Sequence, residues 1–264
     1  MSLDTNLAQK AWPLDFEAGL GVNGGQVLIQ GFPAGAWGTN CYVAAAGPGM
    51  ECVVIDPGQD SIDGVLSIVD EHRLKPVAVL LTHGHIDHIW SVAPVAAGYD
   101  IPAFIHSADR YRLADPAGAS VMASREHLLS MTKGALELTE PSDVRTFDTS
   151  VSMQIAGLDV VINHAPGHTE GSVVLTVPAT GGEAAIMFSG DVLFAGSIGR
   201  TDLPGGNADS MEATLGSVIW PCDDDTIVLP GHGQQTTIGI ERASNPYLRQ
   251  FAQGSGVQAP TRGM

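Results

Sequence analysis

From residue 26 onward, short apolar runs alternate with Gly- and Pro-rich breaks, the rhythm of a chain built on many short strands. QVLIQGF, NCYVAAA and ECVVID, between residues 26 and 56, read as three strands separated by Pro-Ala-Gly and Gly-Pro-Gly turns. At 61–74 the period changes. Ile62, Val65, Leu66 and Val69 in SIDGVLSIVDEHRL share one helical face, and Ser61 is placed as the N-cap. PVAVLLT (76–82) is a continuous apolar run of strand length, the pattern of a strand buried on both faces. PAFIH (102–106) adds a strand, and 107–140 reads as a relatively polar helical stretch. The second half repeats the theme, with a hairpin over 150–166 and strands in GSVVLTVP, AAIMFSG and TIVLPG. A helix is expected around 208–220 and a terminal one in IGIERASNPYLRQFAQ. Two halves of similar layout predict an α/β protein with two sheets face to face and helices outside. The expected organisation is an N-terminal arm over 1–25 and a single domain over 26–264, carrying a helical insertion at about 107–140.

Composition narrows the function classes. A chain of 264 residues that is 44% hydrophobic can bury a sizeable core. With 12 Lys+Arg against 29 Asp+Glu the formal charge is −17, which repels phosphate backbones, so no nucleic-acid partner is expected. Only Lys10, Lys75 and Lys133 supply lysine. No apolar run approaches the roughly 18 residues of a membrane span. The first residues lack the basic and apolar regions of a signal peptide, so a cytoplasmic location is expected. Cys41, Cys52 and Cys222, odd in number and widely spaced, read as core residues in a reducing compartment.

The chemistry concentrates where strands end. THGHIDH (82–88) follows the buried strand and offers His83, His85, Asp87 and His88 within six residues, with Gly84 to let the loop turn. Four potential ligands in so compact a loop point in two directions, which two neighbouring metal sites accommodate. HAPGHTEGS (164–172) presents His168 in a Gly-rich loop, whereas His164 is still in the strand and reads as structural. Asp191 ends the strand AAIMFSG, where a carboxylate can offer each oxygen to a different cation. His232 ends TIVLP.

In that order HGHIDH, PGHT, SGD and LPGHG resemble the motifs of the metallo-β-lactamase fold hydrolases, over about residues 27–245. The resemblance implies a four-layer αββα sandwich. It also implies a first metal held by His83, His85 and His168, a second by Asp87, His88 and His232, and Asp191 bridging the two. Asp56 in VVIDPG matches the family's strand-end aspartate, which supports the metal loop from behind.

Within the family, DVLFAGSIGRTDLPGG (191–206) and ERASNPYL are similar to segments of glyoxalase II-type enzymes, the hydroxyacylglutathione hydrolases, and their shorter bacterial relatives. A bridging aspartate at 191 argues against those β-lactamases that place a cysteine ligand near there. The implied activity is hydrolysis of a small acyl-thiol such as S-lactoylglutathione, without a membrane partner. The resemblance implies two divalent ions per chain, for which the ligand chemistry suits Zn²⁺ and also admits Fe or Mn. Metal coordination brings the pKa of water from 15.7 to roughly 7, so hydroxide is available at neutral pH. Asp87 and Asp191 are the expected catalytic carboxylates, Asp87 by hydrogen-bonding that hydroxide as well as binding metal. Arg200, nine residues beyond Asp191, falls where glyoxalase II-like loops carry a basic residue for the carboxylate of the thiol.

The sequence also departs from glyoxalase II. No C-terminal helical domain follows His232 within the 32 remaining residues, and 79 residues separate His88 from His168. The helical piece around Tyr111–Leu138 is a candidate cover for the cleft in place of that domain. Two positions beyond the basic residue, where glyoxalase II carries an aromatic side chain, stands Asp202. GRTD is also the pattern of the iron-dependent persulfide dioxygenases, which use a reduced ligand set; that oxidoreductase, or a lactone or ester hydrolase, is the alternative.

Overall fold

A computed structural model describes residues 21–22, 25–117, 119, 124–131, 138–179, 181 and 183–254. The expected arm over 1–25 lies almost wholly outside the described residues. Its end contributes a ribbon of β1 (Gly21–Val22) and β2 (Gly25–Gln26). The first half builds one six-stranded sheet. β3 (Leu28–Ala34), β4 (Thr39–Ala45) and β5 (Glu51–Ile55) run antiparallel, followed by parallel β6 (Lys75–Leu80), β7 (Ala103–His106) and β8 (Val144–Phe147). The parallel crossovers carry α1 (Ile62–His72), α2 (Ile86–Ile89) and α3 (Val92–Tyr99), then a 3-10 turn (Ser107–Asp109), α4 (Arg110–Ala114) and α5 (Arg125–Met131).

The second half builds the other sheet. β9 (Val151–Ile155) and β10 (Leu158–His164) form the expected hairpin and continue antiparallel into β11 (Val173–Val177) and β12 (Ile186–Gly190). After the small ribbon β13 (Leu193–Phe194) and β14 (Ser197–Ile198), α6 (Ala208–Thr214) leads into a π-helical turn, Leu215–Ile219. β15 (Ile227–Pro230) then returns parallel to β12, and β16 (Thr236–Thr237) closes the edge. The expected terminal helix is two helices, α7 (Ile238–Ser244) and α8 (Pro246–Gly254). Pro246 drives the preceding Asn245 to extended backbone at φ −70°, ψ 120°, and so splits the segment.

Strand alternation decides how the layers stack. In β10, Leu158, Val160 and Ile162 are buried while Asp159 is exposed. The buried residues meet Ile29, Tyr42, Val53, Ile55 and Leu80 of the first sheet in the central core. The outer face of the first sheet packs on α1 and α3 through Val54, Val65, Val79 and Val95, and that of the second on α6 and α8 through Val174, Met187, Met211 and Leu248. Helix, sheet, sheet, helix is the four-layer αββα order expected from the sequence. Cys41 and Cys52 are buried and Cys222 half-buried, all three as free thiols. No helix among the described residues is long and apolar enough to cross a membrane.

His106 at the end of β7 stacks on His164 at the end of β10, with centroids 4.0 Å apart and planes 6° from parallel, so one histidine pair bridges the two sheets. Burial and the neighbouring His164 hold His106 below the ordinary histidine value, against the opposing pull of the Asp148 backbone, Asp109 and the Asp148 carboxylate. A depressed histidine pKa means that the unfolded chain binds the proton first, so stability falls as pH drops below about 6.5. Replacing His106→Gln is therefore expected to flatten the decline in melting temperature between pH 7 and pH 5. An unchanged slope would remove His106 from that decline.

Candidate metal centre

The four ligand-bearing segments leave the C-terminal ends of β6, β10, β12 and β15. β12 and β15 are parallel neighbours, so Asp191 and His232 emerge side by side. An isolated bridge between Thr39 and His232 and the bond from the Asn40 amide to the Gly231 carbonyl, 2.7 Å, join the first sheet to this end of the second. All seven candidate ligands converge there.

Three sets of ligand atoms each lie within 4.8 Å of one another: His83, His85 and His168; His83, His88 and Asp191; Asp87, His88 and His232. Nδ1 of His85 faces Nε2 of His168 at 2.8 Å. Asp191 stands between the sets. Its Oδ1 is 3.3 Å from Nε2 of His88, and its Oδ2 is 3.5 Å from Nε2 of His168 and 3.7 Å from Nε2 of His232. Asp87 Oδ2 lies 3.0 Å from Nε2 of His232 and accepts a hydrogen bond from Thr39 Oγ1 at 3.1 Å.

The supporting contacts explain why these rings point inward. Asp56 accepts from the Thr82 amide (2.8 Å) and Thr82 hydroxyl (2.6 Å), and its Oδ2 meets Nδ1 of His88 at 2.9 Å. The carboxylate expected behind the metal loop thus orients His88 and leaves its Nε2 directed at the cluster. Asp56 does so at a φ of 48°, a left-handed conformation uncommon outside glycine. His168 Nδ1 is held by the Arg200 carbonyl at 2.8 Å, which turns Nε2 toward the site.

Electrostatics favour neutral rings at His83 and His85, ionised carboxyls at Asp87 and Asp191, and a protonated ring at His88. Burial drives His83 well below the ordinary histidine value, helped by the histidines around it, and brings His85 down to about 3, with His168 and Arg112 adding to the effect. Burial also opposes charge on Asp87 and Asp191, yet His88 and the other histidines outweigh it and hold both carboxyls below their usual range. Burial likewise opposes charge on His88, but Asp87, Asp191 and Asp56 together hold it well above the ordinary value. Neutral imidazoles and ionised carboxylates are the states that ligate cations, so His88 would release its proton to an arriving ion. Nε2 of His83, Nε2 of His88 and Oδ1 of Asp191 are buried without a hydrogen-bond partner, the polar atoms a cation would satisfy. The donor set therefore fits two divalent ions.

Two residues unforeseen in the sequence brace the site. Asp109, fully buried after β7, accepts from the Gly84 amide (2.8 Å), the Thr169 hydroxyl (2.7 Å) and the Gly171 amide (3.0 Å), clamping the His83–His85 loop to the His168 loop. Arg112, 2% exposed, lies under both, with Nη2 on the Pro204 carbonyl at 3.0 Å. A Cβ on Gly84 would sit 2.7 Å from Arg112 Cδ, so this glycine serves close packing and has no positive φ. The expected helical insertion over 107–140 holds the 3-10 turn, α4 and α5; residues 118, 120–123 and 132–137 lie outside the described ones. None of its described residues lines the cleft, and its first turns lie beneath the metal loops.

The cleft itself, about 440 Å³, opens over His85, Asp87, His168, Asp191 and His232, with Trp37, Phe194 and Leu203 as its apolar walls. Arg200 stands in its lining. Its guanidinium is gripped by Asp202, Nε to Oδ1 at 2.8 Å and Nη2 to Oδ2 at 2.7 Å, both side chains being well exposed. His164, read as structural, holds the Glu170 carbonyl at 2.8 Å through Nε2 and is absent from the three candidate ligand sets.

A four-layer sandwich with a paired His/Asp centre between its sheets defines a metallo-hydrolase. Residues 34–232 match the profile described as Metallo-beta-lactamase superfamily, and the chain belongs to that superfamily. An uncharacterized protein of Mycobacterium tuberculosis is 45% identical over 224 residues, covering 84% of this chain and 98% of its own. The hydroxyacylglutathione hydrolase GloC of Haemophilus influenzae is 28% identical over 83% of this chain and 97% of its own. Among solved structures, the BLEG-1 B3 metallo-beta-lactamase aligns with a TM-score of 0.70 at 36% identity, covering 84% of this chain and 99% of its own. TTHA1623 in a di-iron-bound form aligns at 0.65 and 32%, covering 83% and 99%.

Proposed function

We propose that the chain is a thioesterase of the glyoxalase II type, cleaving an acyl-thiol such as S-lactoylglutathione or a related carrier. The observation that carries this reading is the convergence of two ligand sets on Asp191 at the floor of an open cleft. The similarity to GloC and the glyoxalase II-like segment 191–206 support the choice of substrate class.

In this reading His83, His85 and His168 would hold one ion and Asp87, His88 and His232 the other, with Asp191 between the two groups. Nitrogen and oxygen ligands suit Zn²⁺, and the di-iron neighbour keeps iron as a second candidate. Two divalent ions, when bound, would supply hydroxide at neutral pH and polarise the carbonyl of the substrate. Asp56 fixes the His88 ring, and the Arg200 carbonyl fixes that of His168. Asp87, ionised and in the cleft lining, accepts a hydrogen bond from the attacking oxygen and orients it. Trp37, Phe194 and Leu203 shield the reacting carbonyl from bulk water. The thiolate leaves without strong acid assistance, which agrees with the lack of a proton donor other than histidine among the described cleft residues.

The second reading, persulfide oxidation by O₂, draws on GRTD at 199–202. That chemistry uses a reduced ligand set, whereas Asp87, His88 and His232 here form a complete second group. A paired assay separates the two. S-lactoylglutathione and a panel of acyl-thiols are expected to release free thiol, while glutathione persulfide in an oxygen electrode gives no uptake. Rapid O₂ consumption without thioester cleavage would reverse the assignment. A β-lactam belongs in the same panel, given the similarity to BLEG-1.

A further inference from the structure

We infer that the cleft selects a thiol carrier with no net negative charge where it passes Arg200, an inference that rests on the thioesterase reading and narrows its substrate class. Arg200 is the one lysine or arginine lining the cleft among the described residues. The Nε/Nη2 edge of its fork is taken by Asp202, in the parallel two-bond geometry that makes arginine a carboxylate receptor. The receptor for an anionic tail therefore already contains a carboxylate from the chain itself.

The backbone that carries the pair is anchored. The Arg200 carbonyl is fixed by His168 at 2.8 Å, and Gly199 lies so close to Asp191 that a Cβ would stand 1.8 Å from the Asp191 carbonyl oxygen. Both contacts anchor the backbone two and three residues before Asp202. A substrate carboxylate entering the fork would exchange one exposed ion pair for another and leave Asp202 unpaired beside it, so the exchange gives little net gain. Arg112 offers no substitute, since it is buried under the 203–206 loop with Nη2 on the Pro204 carbonyl. Trp37, Phe194 and Leu203 supply apolar wall to the same cleft, and the chain's charge of −17 repels anions from a distance. The binding partner these features fit is a polar, uncharged carrier with apolar stretches; the glutathione anion fits them poorly.

The test compares S-lactoylglutathione with its diamide, in which both carboxylates are carboxamides, on the metal-loaded protein. The diamide is expected to have a kcat/KM at least tenfold higher, carried mostly by KM. In Asp202→Asn, which frees the guanidinium, the ratio of anion to diamide is expected to rise at least fivefold. A preference for the anion in the parent, with a ratio that Asp202→Asn leaves unchanged, would overturn the inference. If neither thioester is cleaved, the thioesterase reading fails by itself. The charge preference is then read by calorimetric binding of S-methylglutathione and its diamide to parent and Asp202→Asn. There, equal affinities for both in both proteins would overturn it.

Discussion

Asp191→Asn is expected to leave the fold intact, halve the metal content and lower kcat/KM by about 10³-fold, a loss of roughly 4 kcal/mol in transition-state stabilisation. Asparagine keeps the shape of aspartate and removes the charge. At this position one carboxylate faces both ligand sets, Oδ1 toward His88 and Oδ2 toward His168 and His232. An amide offers one oxygen and one N–H₂, so one of the two groups would meet a donor where it requires an acceptor. Elemental analysis of protein purified without chelator should give about two ions per chain in the parent and about one in the variant. Two ions retained with full activity would show that Asp191 does not join the sites. A parent with one ion, unchanged by metal supplementation, would remove the binuclear premise and favour the dioxygenase reading.

The candidate ligands were legible in the sequence because their segments follow strands that announce themselves. PVAVLLT, AAIMFSG and TIVLP are apolar runs of strand length, each followed within two residues by a His or Asp that has no place in a core. Boundaries moved in two helical segments: Pro246 split the terminal helix, and the π-helical turn Leu215–Ile219 interrupted the segment read as one helix around 208–220. Ser61 stands at the N-cap position of α1 as expected, yet its side chain makes no capping bond. What could not be read was the bracing. Asp109 and Arg112 belong to a stretch whose polarity resembles that of a solvated helix, and only the fold reveals that the stretch passes beneath the metal loops. Trp37 and Phe194 were equally silent, because an aromatic residue in a turn or a two-residue strand carries no period to show which way it faces. Asp202 was visible as a departure from the family pattern, but its grip on Arg200 is a fact of geometry.

Asp109→Ala is expected to lower stability by about 3–5 kcal/mol, the range for leaving a buried charge without its partner. Three donors lose their acceptor at once, the amides of Gly84 and Gly171 and the hydroxyl of Thr169. Arg112, whose Nε lies 3.6 Å from Asp109 Oδ1, keeps its charge in a site 2% exposed. At roughly 2–4 °C per kcal/mol for a chain of this size, the melting temperature should fall by about 10–15 °C. Asp109→Asn retains one acceptor oxygen and the packing volume, so its loss should be smaller, about 1–3 kcal/mol. The two variants together separate stability from site geometry. Asp109 ties the loop of His83 and His85 to the loop of His168, so the asparagine variant, still folded at 25 °C, should bind its first metal more weakly. The second set, Asp87, His88 and His232, is braced by Thr39 and Asp56 instead and should be spared. Chelator titration followed by metal analysis would show one ion released earlier than in the parent. Simultaneous release of both ions at the parent's chelator concentration, together with a melting temperature within about 2 °C of the parent for Asp109→Ala, would mean that the clamp carries neither stability nor metal affinity.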